Sequence, residues 1–330
     1  MSGSRIKVIA AAAAAAAVLL LAPSAPSDQG TAARAFDGKC GVFPEAEGVP
    51  TNAPSLPDQR AWNQDISDAP VDPASDRIID YINSNGGTEL HPDFGSPKIY
   101  GIPFEVVGKK TKPVKVKFTA YGDESDRGKY RIPLKAGIEG GKNGDGDRHT
   151  IGYDKDACKL YELYRAFPER NRWEADSGAI WDLKSAELRE EGITSADAAG
   201  LPIFPGLVRY DEVKAGEIDH AIRVTFESTR DAWINPASHC AGDTSSANAP
   251  PMGMRMRLKS SFNTGGFSGQ SAVIVEAMKR YGFIVADNGS NWYFQGGTNK
   301  RWDDDDLDQL KEIPGSAFEV VESEASVETC

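Results

Sequence analysis

The sequence predicts a mainly β fold, an antiparallel sandwich or jelly-roll-like arrangement that carries two or three short helices. Short β-branched and aromatic runs recur along the chain, and Gly, Pro, Asp and Lys separate them, as is typical of strands joined by turns. The few helical segments do not alternate with the strands, which argues against a doubly wound α/β sheet. No repeat of roughly 20 to 50 residues is visible, so we expect neither a propeller nor a solenoid.

The N-terminal segment, residues 1–35, predicts a secretory signal peptide with its cleavage region. Arg5 and Lys7 precede an apolar run over residues 8–22, and small residues with Pro follow it. This run is shorter than the about 20 residues of a membrane-spanning helix, and an uncleaved anchor is the alternative. We therefore expect a secreted, extracellular protein that is not inserted in a membrane once the signal is cleaved.

Composition suggests how the rest of the chain is organised. Residues 36–72 are rich in Pro, Asp and Asn and predict an extended N-terminal arm. Residues 73–325 predict a single compact β-rich domain, and residues 326–330 a C-terminal tail. The chain is long enough to bury a sizeable core, and we expect a monomer.

Capping residues and apolar periodicity place the helices. Asp72 and Pro73 suit the start of the first helix, and Ser268 is the predicted cap of the second. The acidic run 303–306 is explained more simply by the first turn of a helix than by a metal site. The predicted helical segments are residues 73–83, a capped turn at 194–199, residues 269–281 and a short helix that begins at 303.

Alternating or continuous apolar runs place the strands. Val114 and Val116 alternate with Lys115 and Lys117, so this strand has one face in water. Residues 252–258 alternate Met with small or basic residues, and we expect the Met row to fill the core rather than to bind copper. The other strands are predicted over residues 99–107, 130–134, 149–153, 160–167, 173–183 (as a pair), 220–226, 232–235, 283–286, 292–294 and 317–321.

The net charge of −12 excludes two classes of partner. Nucleic acids and anionic lipid surfaces are held mainly by clusters of Lys and Arg, whereas acidic residues predominate in this chain. We therefore expect no nucleic-acid partner.

The four cysteines predict two disulfides. They are far apart in the sequence, no C-x-x-C pair is present, and an oxidising compartment favours pairing of an even number. Among the three connectivities we expect Cys40 with Cys158 and Cys240 with Cys330. In the alternative, Cys240 is a nucleophile beside His239, which is disfavoured because an even set in a secreted protein normally pairs.

The candidate catalytic residues centre on His149 and His220. The signatures G-x-S-x-G, H-E-x-x-H and the P-loop are absent from the sequence. The period of two turns both histidines inward near the starts of their strands, and His239 follows a third strand. They are either satisfied core groups or a cluster at one end of the sandwich that acts as a general base or ligates Zn or Cu.

Polar and aromatic neighbours complete a candidate carbohydrate site. Asp147, Asp211 and Glu212 are candidates for the two carboxylates of glycoside hydrolysis. Arg223 is a candidate for carboxylate recognition and Tyr210 for proton donation. Indole rings suit stacking on sugar rings. The predicted catalytic residues are His149, His220, Asp147, Arg223 and Tyr210, and the predicted substrate-binding residues are Arg148, Trp173, Trp233 and His239.

No cofactor is predicted. Asn143, Asp145 and Asp147 alternate like the ligands of a calcium loop, but Arg148 occupies the position at which an EF-hand needs Gly. A divalent metal is therefore the alternative rather than the expectation.

Six motifs together indicate a resemblance. They are LHPDFG at 90–95, GDRH at 146–149, LYELY at 160–164, TSADAAGLPIFPGLVRYDEV at 194–213, PPMG at 250–253 and ADNGS at 286–290. With them the chain resembles a family of exported actinobacterial proteins, over nearly its whole length from about residue 60. The resemblance implies a cell-wall or extracellular-polymer protein and carries no established mechanism.

Two functions are compatible with these observations. The first is an extracellular enzyme, a carbohydrate-active hydrolase or lyase, that cleaves a polysaccharide or cell-wall glycoconjugate by hydrolysis or elimination. The second is a non-catalytic envelope or polymer-binding module, in which the histidines belong to the core and aromatic residues form a platform. An enzyme predicts a cleft where histidines meet carboxylates, whereas a module predicts an open aromatic face.

Overall fold

The computed structural model describes Cys40 and residues 62–96, 100–185 and 187–330, which belong to one compact unit. The predicted signal peptide and most of the predicted arm lie outside these residues. None of the helices in the described ranges is long and apolar enough to cross a membrane. The α-helices of this part are α1 (Ser75–Ser84), α2 (Tyr210–Ala215), α3 (Gly269–Arg280) and α4 (Asp304–Leu307).

The mainly β fold class is confirmed, because short strands outnumber the helices throughout the described chain. Most strands coincide with the predicted apolar runs to within a few residues. The strands are β1 (His91–Asp93), β2 (Phe104–Val107), β3 (Val114–Phe118), β4 (Lys129–Tyr130), β5 (Thr150–Asp154), β6 (Lys159–Tyr164), β7 (Phe167–Pro168), β8 (Arg172–Ala175), β9 (Ser177–Asp182), β10 (Ile222–Phe226), β11 (Ala232–Ile234), β12 (Arg255–Leu258), β13 (Phe283–Asn288), β14 (Tyr293–Gln295), β15 (Phe318–Val320) and β16 (Val327–Thr329).

The larger core is built on a six-stranded sheet with the order β1-β14-β10-β13-β12-β15. Helix α1 packs against β15 and helix α3 against β12. Val224 of β10 and Phe283 of β13 are fully buried, as are the predicted core residues Met252 and Met256. Strand β10 therefore lies between two strands in a closely packed region, where a side chain has little freedom to move.

Two four-stranded sheets form a sandwich beside the larger sheet. Their strand orders are β2-β5-β6-β9 and β4-β3-β8-β7. Tyr130 and Trp173 from one sheet meet Tyr161 and Leu163 from the other in a second hydrophobic cluster. The apolar residues of β3 face this cluster, and its lysines are exposed, as the alternation predicted.

Most of the strand pairs are antiparallel, but four are parallel: β1 with β14, β2 with β5, β3 with β8 and β10 with β13. The antiparallel pairing expected from the sequence holds for local hairpins such as β5–β6. The parallel partners are distant along the chain, so no turn signal between them indicates their direction.

Both predicted disulfides are present, Cys40 with Cys158 and Cys240 with Cys330. The second one holds the segment that was predicted to be a tail. That segment contains strand β16, which pairs with β11, so residues 326–330 belong to the folded unit.

The N-terminal arm packs on the domain where it is described. Trp62 and Ile66 are buried, and the backbone N–H of Ala221 donates to the carbonyl of Trp62. Residues 62–72 therefore contribute to the core, as a wrapping segment would.

The acidic run caps two helices. Asp303 caps α4 by accepting from the backbone N–H of Asp306. The predicted cap Ser268 makes no side-chain hydrogen bond to α3; instead, Asp306 accepts from the N–H groups of Gln270 and Ser271 at 3.0 and 2.8 Å. Residues 194–199 form turns and bends rather than a helical turn, and α2 is too short for apolar periodicity to reveal it.

Candidate functional site

Arg223 is the centre of a cluster of charged side chains at the middle of the six-stranded sheet. It lies on β10 and is fully buried. Its guanidinium forms a close ion pair with Asp197 and a longer one with Asp287, at 3.6 Å, and donates to the side-chain oxygen of Gln295. A buried guanidinium is stabilised only when such partners surround it.

A β-bulge orients Asp287 towards this arginine. Val224 pairs with Val285, but the next residue, Thr225, pairs with Asp287, so the register between β10 and β13 shifts by one residue. Paired residues of neighbouring strands face the same side of a sheet, and residues 223 and 225 share a face. The shift therefore places the Asp287 carboxylate on the face of Arg223, a role that bulges often have next to active sites.

A third carboxylate reaches the cluster from the sheet edge. Asp93, the last residue of β1, pairs with Gln295 of β14 and is half-buried. Burial raises its pKa to about 6, and the charges of Glu139 and Asp147 act in the same direction. Asp93 is therefore partly protonated near neutral pH.

The segment before β5 contributes Glu139, Asp147 and His149. The His149 ring is buried, with Nδ1 2.6 Å from the Glu139 carboxylate and Nε2 3.1 Å from the carbonyl of Ala196. Both partners are acceptors, so both ring nitrogens donate. Burial alone would lower the pKa of His149, but Glu139 outweighs it and raises that pKa to about 9. The ring is therefore an imidazolium at neutral pH.

Carboxylates outnumber cations in this cluster. Arg223 and His149 face five acidic residues, and burial raises the pKa of three of them because the two cations cannot compensate all the charge. Burial, together with the Asp197 carboxylate, raises the pKa of Asp287 to about 7. The acidic residues are Asp93, Glu139, Asp147, Asp197 and Asp287.

Glu139 has the opposite shift. Burial would raise its pKa, but the charge and hydrogen bonds of His149 lower it below the ordinary value. The cluster thus contains one carboxylate that stays ionised and, in Asp287, one that holds a proton near pH 7. Carboxyl groups with divergent pKa values are the arrangement from which acid and base roles are assigned.

The rim of the cluster is accessible. Asp147 is exposed, and Asp287 keeps 19% of its side chain accessible. Tyr164 is half-buried beside them, with its ring centroid 5.6 Å from that of His149, and burial raises its pKa to about 12. A ligand can therefore approach the carboxylates from one side, with a neutral phenol nearby.

The predicted catalytic residue His220 has different partners from His149. Its Nε2 lies 3.2 Å from Glu212 and 3.3 Å from Arg209, and its Nδ1 donates to the carbonyl of Ala221. Arg209 and His220 are fully buried, and Arg209 also forms a close ion pair with Glu212. This second group of charges packs between α2 and β10.

Two predicted substrate-binding residues require correction. Trp173 is fully buried, and its indole N–H donates to the carbonyl of Ile132, because its partner in β3 faces the sandwich core. Arg148 is buried as well, and its guanidinium donates to backbone carbonyls, including those of Gly144 at 2.6 Å and Ala166 at 3.2 Å. Neither presents a free surface to a ligand.

The remaining predicted residues lie nearer the surface. Tyr210, half-buried, starts α2, and its ring packs against Trp302 and under Arg301. Trp233 is half-buried on β11, in the small sheet that the C-terminal segment completes. The Nδ1–H of His239 donates to the carbonyl of Ala198, 2.9 Å away, next to the Asp197 loop.

The sequence analysis missed four members of the cluster: Asp93, Glu139, Asp197 and Asp287. Three of these lie within motifs on which the family resemblance rests, LHPDFG, TSADAAG and ADNGS. Each motif contains one carboxylate at the end of a strand or in a tight loop, and this shared feature is the signal that could have identified them.

Metal-ligating atoms come together at one place in the described chain, Asp231 with Cys240 and Cys330. The two sulfur atoms form a disulfide, so neither can act as a thiolate ligand. The carboxylates around Arg223 form no such group of ligating atoms within the described residues.

A cavity of about 730 Å³ lies elsewhere, between residues 64–72 and the C-terminal segment. Among its lining carboxyl groups is Asp65, whose pKa burial would raise but hydrogen bonds from Ser67 and Arg280 lower. A carboxyl group of this kind does not hold a proton near neutral pH, so the Arg223 cluster is the better candidate for proton transfer.

No family model, curated protein or solved structure matches this chain.

Proposed function

We propose that this protein is a glycoside hydrolase whose active site is the carboxylate cluster around Arg223. The observation that carries the proposal is that Asp287, whose pKa is raised to about 7, lies with the exposed carboxyl group of Asp147 at the accessible rim of the cluster. Glycoside hydrolysis needs one protonated carboxyl group at the leaving-group oxygen and one ionised carboxylate on the other side of the sugar.

Asp287 is the general acid of this proposal. Its proton is retained near neutral pH because burial and the Asp197 carboxylate disfavour a second negative charge. Arg223 holds both groups in place, and its position in the centre of the sheet limits their movement. A proton donor with a pKa close to the working pH transfers its proton efficiently.

Asp147 is the partner carboxylate. It is the exposed member of the cluster, and its charge acts on Asp93, His149 and Asp287. Glu139 is less suitable because one of its oxygens is engaged by both the ring and the backbone N–H of His149. In this arrangement Glu139 keeps His149 protonated, and the imidazolium offsets part of the negative charge beside Asp147.

Hydrolysis is favoured over elimination. A polysaccharide lyase needs a cation to neutralise the carboxylate of its uronic acid substrate before a proton is removed. Both cations of this cluster are already engaged, Arg223 with two aspartates and His149 with Glu139. The excess of carboxylates instead favours a neutral glycan or one that contains amino sugars.

Export belongs to the same proposal. The two disulfides are typical of proteins that mature in an oxidising compartment, and the N-terminal sequence has the features of a signal peptide. An extracellular glycan is therefore the substrate class that we propose.

The test is a screen of the disulfide-bonded protein against neutral, acidic and amino-sugar glycans, with mass spectrometry of the released fragments. We expect saturated fragments from at least one glycan, and a decrease in turnover of about 10²- to 10⁴-fold for Asp287→Asn. An aryl glycoside of the same sugar has a leaving group that needs no proton. Asp287→Asn should therefore keep most of its activity on the aryl glycoside, whereas Asp147→Asn should lose activity on both substrates.

The control is Glu212→Gln, which changes a buried glutamate outside the proposed site. Its folded fraction should cleave glycans at the wild-type rate. Unsaturated fragments would contradict hydrolysis, and the absence of cleavage for every glycan and aryl glycoside would contradict the proposed function itself.

A further inference from the structure

The outer surface of the sheet β4-β3-β8-β7 carries an unusual concentration of positive charge, which we call the basic face. It consists of Lys115 and Lys117 on β3, Lys129 on β4 and Arg172 on β8, all exposed. The opposite surface of the same sheet packs against the sandwich core through Val116. These cations are therefore fixed on a rigid support rather than on a loop.

Positive charge is segregated in this part of the chain. Residues 109–135 contain nine of the 37 Lys and Arg residues but only three of the 49 Asp and Glu residues. The whole chain carries a net charge of −12, so a cationic surface is not a consequence of its average composition. Because salt screens charges over about 8 Å under physiological conditions, a ligand near this face responds to the local charge more than to the total.

The strand register places like charges next to each other. Lys115 pairs with Lys129 on one side and with Arg172 on the other. Neighbouring strands are about 4.8 Å apart, so three cations form a row across three strands. Like charges at directly opposed positions destabilise a sheet. In the next register position, Lys117 pairs with Glu174 at 3.2 Å, and Arg172 also contacts this glutamate.

We propose that the basic face binds an anionic polysaccharide, and that this binding is independent of the glycan cleaved at the Arg223 cluster. The row of cations matches a polymer with one carboxylate or similar group per sugar ring. Phe167 of β7 lies opposite Glu174 at the edge of this face with 39% of its surface exposed, and its ring suits packing on a sugar.

Charge density favours a polysaccharide over a nucleic acid. Double-stranded DNA carries a negative charge about every 1.7 Å, and stable binding usually requires the neutralisation of several phosphates. The basic face offers four cations, two of which already contact Glu174. The carboxylate-rich cluster around Arg223 would repel an anionic chain. The polymer bound at the basic face therefore anchors the protein and is not the substrate that it hydrolyses.

The test is affinity electrophoresis of the full disulfide-bonded protein in gels that contain polygalacturonate, with a neutral glucan as reference. The test variant is Lys115→Ala/Lys117→Ala/Lys129→Ala. The matched control is Lys184→Ala/Lys214→Ala/Lys300→Ala, which removes the same charge from exposed lysines outside this sheet. We expect polygalacturonate to retard the wild type, and the apparent Kd to rise at least about tenfold in the test variant and less than twofold in the control.

Three results would overturn the proposal: no retardation of the wild type, equal effects of the two triple variants, or tighter retention by double-stranded DNA than by polygalacturonate. Equal effects would mean that only the net charge matters. Asp287→Asn should be retarded like the wild type. Loss of retardation in that variant would place the polymer in the Arg223 cluster instead, so the anchor and the proposed active site are tested separately.

Discussion

Two buried ion clusters in this protein, each with one arginine and one histidine, differ in how their charges are balanced. In the first, the carboxylate of Glu212 contacts both Arg209 and His220. Burial would raise the pKa of Glu212, but these two partners lower it. In the cluster around Arg223, five acidic groups face two cations, and burial raises the pKa of three of them.

The difference separates a charge-balanced ion cluster from the one that we propose as the active site. Both clusters are buried and both shift pKa values, so neither burial nor a shifted pKa is by itself a sign of function. The Arg223 cluster differs because its unbalanced charge is located at an accessible rim, where groups with pKa values of about 6 to 7 can exchange protons with a ligand.

The largest effect on stability is expected for Arg223→Met. This change leaves Asp197 and Asp287 buried without their cation, and breaking a buried ion pair in this way costs about 3 to 5 kcal/mol. Urea denaturation monitored by tryptophan fluorescence measures the change. The double variant Arg223→Met/Asp197→Asn should recover part of the loss, and an unchanged midpoint in the single variant would show that Arg223 is not the centre of the cluster.

His220→Ala should lower stability without affecting catalysis. It leaves a cavity and removes a partner of Glu212, which costs about 1 to 3 kcal/mol. The turnover of the folded fraction on a cleaved glycan should stay within about twofold of the wild type, because Glu212, Arg209 and His220 have no role in the proposed reaction. A large decrease in turnover at full folding would contradict the division between the two clusters.

The pH dependence of stability should differ in sign between Asp287 and Glu212. The folded pKa of Asp287, about 7, is above the unfolded value, so the folded protein holds an extra proton and loses stability as the pH rises from about 4 to 7. Asp287→Asn removes this loss, on the order of 1 to 2 kcal/mol after solvent screening. Denaturation midpoints at several pH values should therefore favour this variant increasingly towards pH 7.

Glu212→Gln is the matched comparison for that experiment. The pKa of Glu212 is lowered, so its ionised form stabilises the protein above the unfolded pKa, and the stabilisation is lost as the pH falls. The variant should become less stable relative to wild type as the pH rises towards about 4.3, and the difference should stay constant at higher pH. If the stability difference from wild type changed with pH in the same direction for both variants, this result would contradict the electrostatic difference between the clusters.

The smallest effect is expected for His149→Gln at alkaline pH. The raised pKa of His149 contributes stability that is fully present below about 6.5, the unfolded value, and is lost as the pH rises through about 9. The variant should lack this decline, a difference on the order of 1 kcal/mol between pH 6.5 and 9. Thermal denaturation across this range provides the measurement, and an equal decline in both proteins would show that His149 does not titrate there.

Strand patterns predicted part of the candidate site. They placed His149 in the interior, where it belongs to the cluster with Asp147. They did not place Arg223 there, because alternation puts it on the opposite face from Ile222 and Val224, whereas both faces of β10 are buried. The same alternation turned His220 inward correctly, but its neighbours include Glu212 on α2, a helix of six residues that apolar periodicity could not reveal.

The carboxylates that the sequence analysis did not predict join the cluster through contacts between distant segments. Asp93 joins the cluster through the parallel pairing of β1 with β14, and Asp287 through the parallel pairing of β10 with β13 and its bulge. No hairpin turn joins the two strands of either pair, so no turn motif in the sequence predicts these pairings. The bulge also changes which side of the sheet Asp287 faces, so alternation along β13 alone would have assigned its side chain to the wrong side.

The parallel pairing of β1 with β14 also has a kinetic consequence. His91 is paired with Tyr293, and the side chain of Asn291 donates to the carbonyl of Ile82, 209 residues earlier in the chain. Contacts at such sequence separation slow folding, because a long loop must close before they form. The cluster therefore assembles late, and during refolding the amide protons of β1 should become protected from exchange in the same phase in which the hydrolase activity that we propose for the cluster returns.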